Sequence, residues 1–163
     1  MSTPDPRQCW RTPPELWAKM NRIWQFDMDA AADAQSALCG LWCGPDHLPD
    51  YRDGLSADWA SHTYCNPGYA NVGPWLAKAW REVRQGKCEL AVVLTHVSTS
   101  TEWFLEAMKA DEIIFLWPRV NFVPAPGVKS SSNNKDNMLS VFRRGIPSGA
   151  PKFSVWNWRE DTP

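Results

Sequence analysis

No stretch of this 163-residue chain approaches the ~20 consecutive apolar residues needed to span a bilayer. Its start, Met1-Ser2-Thr3-Pro4-Asp5-Pro6, has neither the basic nor the apolar region of a secretory signal. No membrane partner is expected, and a cytoplasmic location is the default. Gly-x-Gly-x-x-Gly is absent, which leaves a dinucleotide site unsupported, and so is the Walker A phosphate loop. There are five cysteines (Cys9, Cys39, Cys43, Cys65 and Cys88), an odd number without a Cys-x-x-Cys pair, which argues against a disulfide framework. Cys39, Cys43 and His47 are spaced by four, but Gly40, Gly44, Pro45 and Pro49 break a helix there. No fourth ligand is evident, so no metal is expected. The net charge of −1 announces no nucleic-acid partner.

What is present is a globular composition, 44% hydrophobic and 21% charged, enough for one domain with a real core. Eleven tryptophans offer either core bulk or stacking platforms. The charge is unevenly spread. Residues 1–59 hold nine acids against five bases, whereas residues 119–159 hold seven bases (Arg119, Lys129, Lys135, Arg143, Arg144, Lys152 and Arg159) against Asp136 alone. A basic last third of this kind can face phosphates, or be ordinary surface charge.

Thr12-Pro13-Pro14-Glu15 reads as a helix start capped by Thr12, followed by the stripe Leu16, Met20 and Ile23. Gln25–Asp29, Leu90–Leu94, Glu112–Trp117 and Met138–Phe142 have strand patterns, and Thr99–Lys109 has a helical one. Residues 44–58 read as loop. Residues 121–137 form an irregular insert suited to substrate contact, and the tail 147–163 has no defined pattern. Strands separated by helices predict an α/β fold with a mostly parallel sheet, whose ligands bind at the carboxyl ends of the strands. Asp29 ends one strand, and Ala30, Ala31 and Ala32 let a ligand or backbone approach it. Asp29 is equally able to cap a helix, Asp53-Gly54-Leu55 to make a tight turn, Arg119 to pair on the surface, and Trp103 with Phe104 to fill a core.

Asn66-Pro67-Gly68-Tyr69 follows the strand-like His62–Cys65. It carries two acceptors, the Asn66 side-chain oxygen and the Pro67 carbonyl, beside an aromatic ring. That set suits methylation of an exocyclic amine on a flipped base. The same tetrapeptide is a type II turn signature, with Pro presetting φ and Gly supplying φ > 0.

Taken in order, these segments resemble the phage and prophage Dam-type DNA N-6-adenine methyltransferases. Trp10-Arg11-Thr12-Pro13-Pro14-Glu15-Leu16 is like the family's W-x-T-P-x-x-L, and Phe26–Asp33 is like F-x-L-D-A-A-A. Cys39 falls where the family commonly has Cys. Asp53-Gly54-Leu55 with Asp58-Trp59 is like D-G-L-x-x-x-W, and Asn66–Tyr69 is like N-P-P-Y. Thr99–Phe104 is like T-D-T-x-W-F/W, Glu112–Phe122 is like E-I-x-F-L-x-G-R-x-x-F, and Met138–Arg143 is like the closing strand.

The resemblance covers residues 10–143. It implies one methyltransferase domain over the whole chain, with a compact Rossmann-like fold that uses S-adenosyl-L-methionine and acts on double-stranded DNA (in host cytoplasm if phage-encoded). By analogy Trp10, Thr12, Pro13, Asp29, Ala30, Ala31, Asp53, Leu55 and Asn66 hold the cofactor. Asn66, Pro67, Gly68 and Tyr69 are catalytic, and Tyr69, Trp103, Arg119, Lys135 and Arg143 meet the DNA. Gly68 departs from the second Pro, Pro118 from the Gly before Arg119, and Ser36 from a frequent Asn. Gly at position 68 is expected to loosen the corner and slow the chemistry. It also leaves open a weak or inactive protein that binds DNA or cofactor, beside a cytosine-N4 methyltransferase. A Trp-rich sugar-binding module is a reading from another class.

Overall fold

Strand β4 (Leu90–His96) sets the architecture, because both of its faces are apolar. Leu90, Val92 and Leu94 enter one core and Ala91 and Val93 the other, as the two-residue period of a strand requires. The computed structural model describes residues 10–129, 132–145 and 149–160. Helix α1 (Pro14–Trp24) covers the first face with Leu16, Met20 and Trp24. Helix α2 (Gly73–Arg84) covers the second with Leu76, Ala79 and Val83.

The remaining strands are β1 (Met28–Asp29), β2 (Leu41–Trp42), β3 (His62–Cys65), β5 (Glu112–Trp117), β6 (Asn137–Arg143) and β7 (Lys152–Asn157). Together they form one seven-stranded sheet in the order β2-β1-β3-β4-β6-β5-β7. The sheet is mostly parallel, as expected. The exception is β6, which lies antiparallel to both β4 and β5. Among the described residues no helix is long and apolar enough to cross a membrane.

Three expectations are corrected. The helix over 99–109 shrinks to α3 (Phe104–Ala107), because the Thr101 hydroxyl and N–H both bond the Ser98 carbonyl and favour a turn over a helix start. Thr12 does not cap α1; the cap position is Pro13, and the Thr12 hydroxyl is used elsewhere. The tail is not patternless where it is described. Strand β7 pairs in parallel with β5 and buries Trp156, and Trp158 follows it into the same core. Part of the expected tail, residues 147–148 and 161–163, lies outside the described residues.

Trp156 is 1% exposed whereas Val155, on the opposite face, is 67% exposed. Trp156→Ala is therefore expected to cost about 3–5 kcal/mol and Val155→Ser less than about 0.5 kcal/mol, read from urea midpoints at unchanged slope.

Candidate functional site

Parallel register brings two sequence-distant residues to the carboxyl ends of neighbouring strands. Asp29 of β1 is opposite Tyr64 of β3, and Asn66 lies immediately beyond the end of β3. Both line a cavity of about 350 Å³, with Trp10, Arg11, Thr12, Ala31, Asp53, Gly54, Gly68 and Trp75 among its walls. The size suits a small organic ligand. Of the expected cofactor residues, Trp10, Thr12, Asp29, Ala31, Asp53 and Asn66 are brought together here. Pro13 instead starts α1, Ala30 is fully buried, and Leu55 is not among the lining residues.

Backbone closeness shapes this cavity. A Cβ on Gly54 would lie 2.0 Å from the Ala30 carbonyl oxygen, and one on Gly44 would lie 1.9 Å from that of Ala32. Only glycine lets these two loops close over the alanine run. The Gly54 loop is held from behind. The Trp59 indole N–H donates to the Gly54 carbonyl, and the Trp59 backbone N–H donates to Glu82, which is itself paired with Lys78 at 2.7 Å inside α2. Asp53 serves the loop rather than facing the cavity freely. Its carboxylate accepts the Leu55 N–H at 2.9 Å and the Ser56 hydroxyl at 2.7 Å.

Asp29 caps no helix. Its carboxylate, 3% exposed, accepts backbone N–H groups of Leu38 and Ala31 at 3.2 and 3.4 Å. Burial outweighs these bonds and raises its pKa to about 6. Arg11 lines the same cavity, and its Nε is buried with no hydrogen-bond partner among the described residues. A buried acceptor-only group and a guanidinium-bearing side chain on the walls of one cavity fit a ligand that carries both charges or a donor-rich sugar.

The corner itself is anchored by two bonds. The Asn66 side-chain N–H2 donates to the Trp10 carbonyl at 3.0 Å and to the Thr12 hydroxyl at 3.3 Å. A carbonyl only accepts, so the amide must present nitrogen there and its oxygen is left available. The Thr12 hydroxyl is further fixed by the buried Tyr64 phenol at 2.6 Å. No described backbone N–H donates to the Pro67 carbonyl.

The type II turn reading is overturned. Gly68 has φ −58° and ψ 141°, whereas that turn needs φ > 0 at this position. A φ of −58° is the value proline locks, so the corner keeps the backbone that N-P-P-Y would impose.

Tyr69 lines a second cavity of about 180 Å³ with Trp10, Phe122, Ser132, Asn133, Asn134 and Lys135. Trp10 is thus a wall of both cavities, and Asn66 is bonded to it. The Tyr69 ring lies 4.6 Å from His96 and 6.2 Å from Phe122 between centroids. Burial pushes its phenol up to about 12. Trp103 is one ring removed, 5.0 Å from His96.

Two expected DNA residues are placed otherwise. Arg119 pairs with Asp136 at 2.7 Å on the surface. Arg143 is opposite Leu90, at the end of the sheet away from Asn66, and is bonded to Glu112. Arg144 and Arg159 also face acids, Glu89 and Glu15, whereas Lys135 makes no ion pair among the described residues. Sequence reasoning passed over Arg11, Tyr64, His96, Asn133 and Asn137. Of these Asn137 carried a signal, a polar residue opening an apolar strand.

Two outcomes follow from this geometry. Gly68→Pro should raise stability by about 0.4–1 kcal/mol, measured by denaturant unfolding, because the native φ already suits proline and the unfolded chain loses freedom. Asp29, with its folded pKa above the unfolded value, is less costly when protonated. Its contribution should therefore fall by roughly 3 kcal/mol as pH rises from below 4 to above 6. Asn at position 29 has no such titration, so the stability difference between wild type and Asp29→Asn should shift against the wild type across that window.

The family model described as DNA N-6-adenine-methyltransferase (Dam) matches residues 2–161. A curated protein of Haemophilus phage HP1 (strain HP1c1), named DNA N-6-adenine-methyltransferase, is 29% identical over 162 residues, which cover 94% of this chain and 89% of the phage protein. With a match over nearly its whole length, this chain belongs to the Dam DNA N-6-adenine-methyltransferase family.

Proposed function

We propose that this protein methylates the exocyclic amine of an adenine flipped out of duplex DNA, at the corner Asn66-Pro67-Gly68-Tyr69. The observation that carries the reading is the pair of cavities sharing Trp10, with Asn66 bonded to that shared wall through its nitrogen and its oxygen left over.

The larger cavity takes the cofactor. S-adenosyl-L-methionine, when bound, supplies an electrophilic sulfonium methyl. The residues of this chain fit such a molecule by charge. Arg11 brings a positive charge to the cavity wall that suits a carboxylate, and Asp29 offers an acceptor to an ammonium group or to ribose hydroxyls. Asp53 and Gly54 form the loop that closes the far side.

The smaller cavity takes the base. Extrusion costs roughly a few kcal/mol, which stacking on an aromatic ring helps to offset. Tyr69 supplies that ring, and Trp10 and Phe122 are the other aromatic walls. The amine of adenine is a poor nucleophile because its lone pair is shared with the ring. Asn66 Oδ1 and the Pro67 carbonyl each accept one of its hydrogens, which localises the lone pair on nitrogen. Both acceptors are set before the substrate arrives, so the stabilisation requires no reorganisation at the moment of reaction. Asn66 is neutral and takes no proton; the proton is lost to solvent after transfer.

Lys135, at the mouth of the base cavity, is placed to meet a backbone phosphate. Trp103 supports the site through His96. Arg119 and Arg143 are left for flanking phosphates, at the cost of their present acid partners.

The test is transfer of labelled methyl from S-adenosyl-L-methionine to unmethylated plasmid DNA, with nucleoside digestion and mass spectrometry. N6-methyladenine should form with wild type. With Asn66→Ala it should be lost by a factor of about 100 or more, the scale of removing one preorganised donor or acceptor. Cofactor affinity by calorimetry should stay within a few-fold. Full transfer by Asn66→Ala, or N4-methylcytosine as the product, would contradict the reading.

A further inference from the structure

Strand β6 begins with a polar residue that the chemistry above does not use. Asn137 is 1% exposed, and it pairs with His96 of β4 and with Leu116 of β5. Its side-chain nitrogen donates to the Tyr69 phenol oxygen at 2.9 Å and to the Thr95 carbonyl at 3.2 Å. The carbonyl fixes the orientation, since it accepts only, so the Tyr69 oxygen is an acceptor in this pair. The Asn137 oxygen then faces Asn133, whose N–H2 donates to it at 2.8 Å and to the Val120 carbonyl at 2.9 Å. Asn133 in turn accepts the backbone N–H of Lys135 at 2.9 Å.

We propose that Asn137 is a positioning residue for the reaction: its amide holds the Tyr69 ring where it stacks on the extruded base, and ties that ring to the loop that carries Lys135. The inference rests on the reading of Tyr69 as the base platform.

The need for such a tether is geometric. Tyr69 opens a three-residue 3-10 turn directly after a glycine, so its backbone is only briefly supported. Its flanking rings are tilted at 51° and edge-on at 85°, packing contacts that do not by themselves fix rotation about its side-chain torsions. The bond to Asn137 removes that freedom. Few side chains can replace it. The site asks for a donor pair aimed at Tyr69 and Thr95 and an acceptor aimed at Asn133, and a carboxylate or an aliphatic group of the same size lacks the donors.

The experiment is a double-mutant cycle on Asn137→Leu and Tyr69→Phe. It is read as kcat and KM for methyl transfer to unmethylated plasmid DNA, with S-adenosyl-L-methionine affinity by calorimetry alongside. Each single variant should lower kcat by about tenfold, the scale of one coupled contact, with cofactor affinity unchanged. The double variant should be no slower than the worse single one, because both remove the same bond. Independent effects, multiplying to about a hundredfold, would show that Asn137 acts by another route and would overturn the proposal. So would a wild-type kcat in Tyr69→Phe. That variant removes only the phenol oxygen and leaves Asn137 bonded to Thr95, so it decides the matter even where Asn137→Leu fails to fold. Tyr69→Ala separates the two levels of inference. Full activity in that variant removes the base-platform reading and the tether with it, whereas loss of activity there with a multiplicative cycle removes the tether alone.

Discussion

One hydrogen bond, from the Asn66 amide to the Trp10 carbonyl, commits the rest of the site. An unanchored asparagine presents oxygen or nitrogen with equal ease, and an amide turned the wrong way would oppose an amine with its own N–H groups. The carbonyl removes that ambiguity. To place it, the segment around Trp10 must be pinned, and it is. Arg11 and Val123 exchange two backbone bonds of 2.9 Å, and Thr12 is locked to the buried Tyr64 on β3. The corner therefore depends on three stretches of chain, residues 10–12, 64–69 and 120–123, meeting at one point.

Around that point the protein separates two electrostatic environments with a single tryptophan. In the larger cavity burial raises the Asp29 pKa to about 6, so ionising it at neutral pH opposes stability. That is the kind of local cost a ligand site retains for its chemistry. In the smaller cavity the walls are aromatic and amide, with Lys135 as the one cation among them. A neutral, flat, amine-bearing group is suited to the second environment and a charged, flexible one to the first.

The strands with strong apolar runs were legible in the sequence. Glu112–Trp117 appears in the structure with the same bounds, and Leu90–Leu94 extends by two residues to His96. The corner and the acid at the end of β1 stood out as candidates, but each had a structural alternative, a type II turn and a helix cap, that only the fold removes. Three kinds of feature were not legible. Strand β7 hides because it is an edge strand with Phe153 and Val155 turned outward, which blurs the apolar signal of Trp156. Gly68 looked like a turn residue, yet its φ is set by the surrounding contacts rather than by its own freedom. The basic last third read as a phosphate-binding surface. Arg119 takes the segment's one acid, Asp136, and local charge counts cannot see that Arg143, Arg144 and Arg159 each meet an acid brought from elsewhere in the fold.

The position of β6 in the sheet has a consequence for how the protein is made. Strands β4 and β5 emerge from the ribosome first but do not pair with each other; the slot between them waits for residues 137–143. Pairings so distant in sequence are slow, since loop closure must precede any reward. Until β6 enters that slot, β5 and β7 have no tie to the rest of the sheet, and Tyr69 lacks the strand that carries its anchor. The larger cavity draws its walls from residues 10–75, and the Arg11 segment of its lining is tied to a later one, at Val123. Synthesis thus runs in an order that completes the surroundings of Tyr69 last, and a chain that stops before residue 137 lacks the strand that anchors that ring.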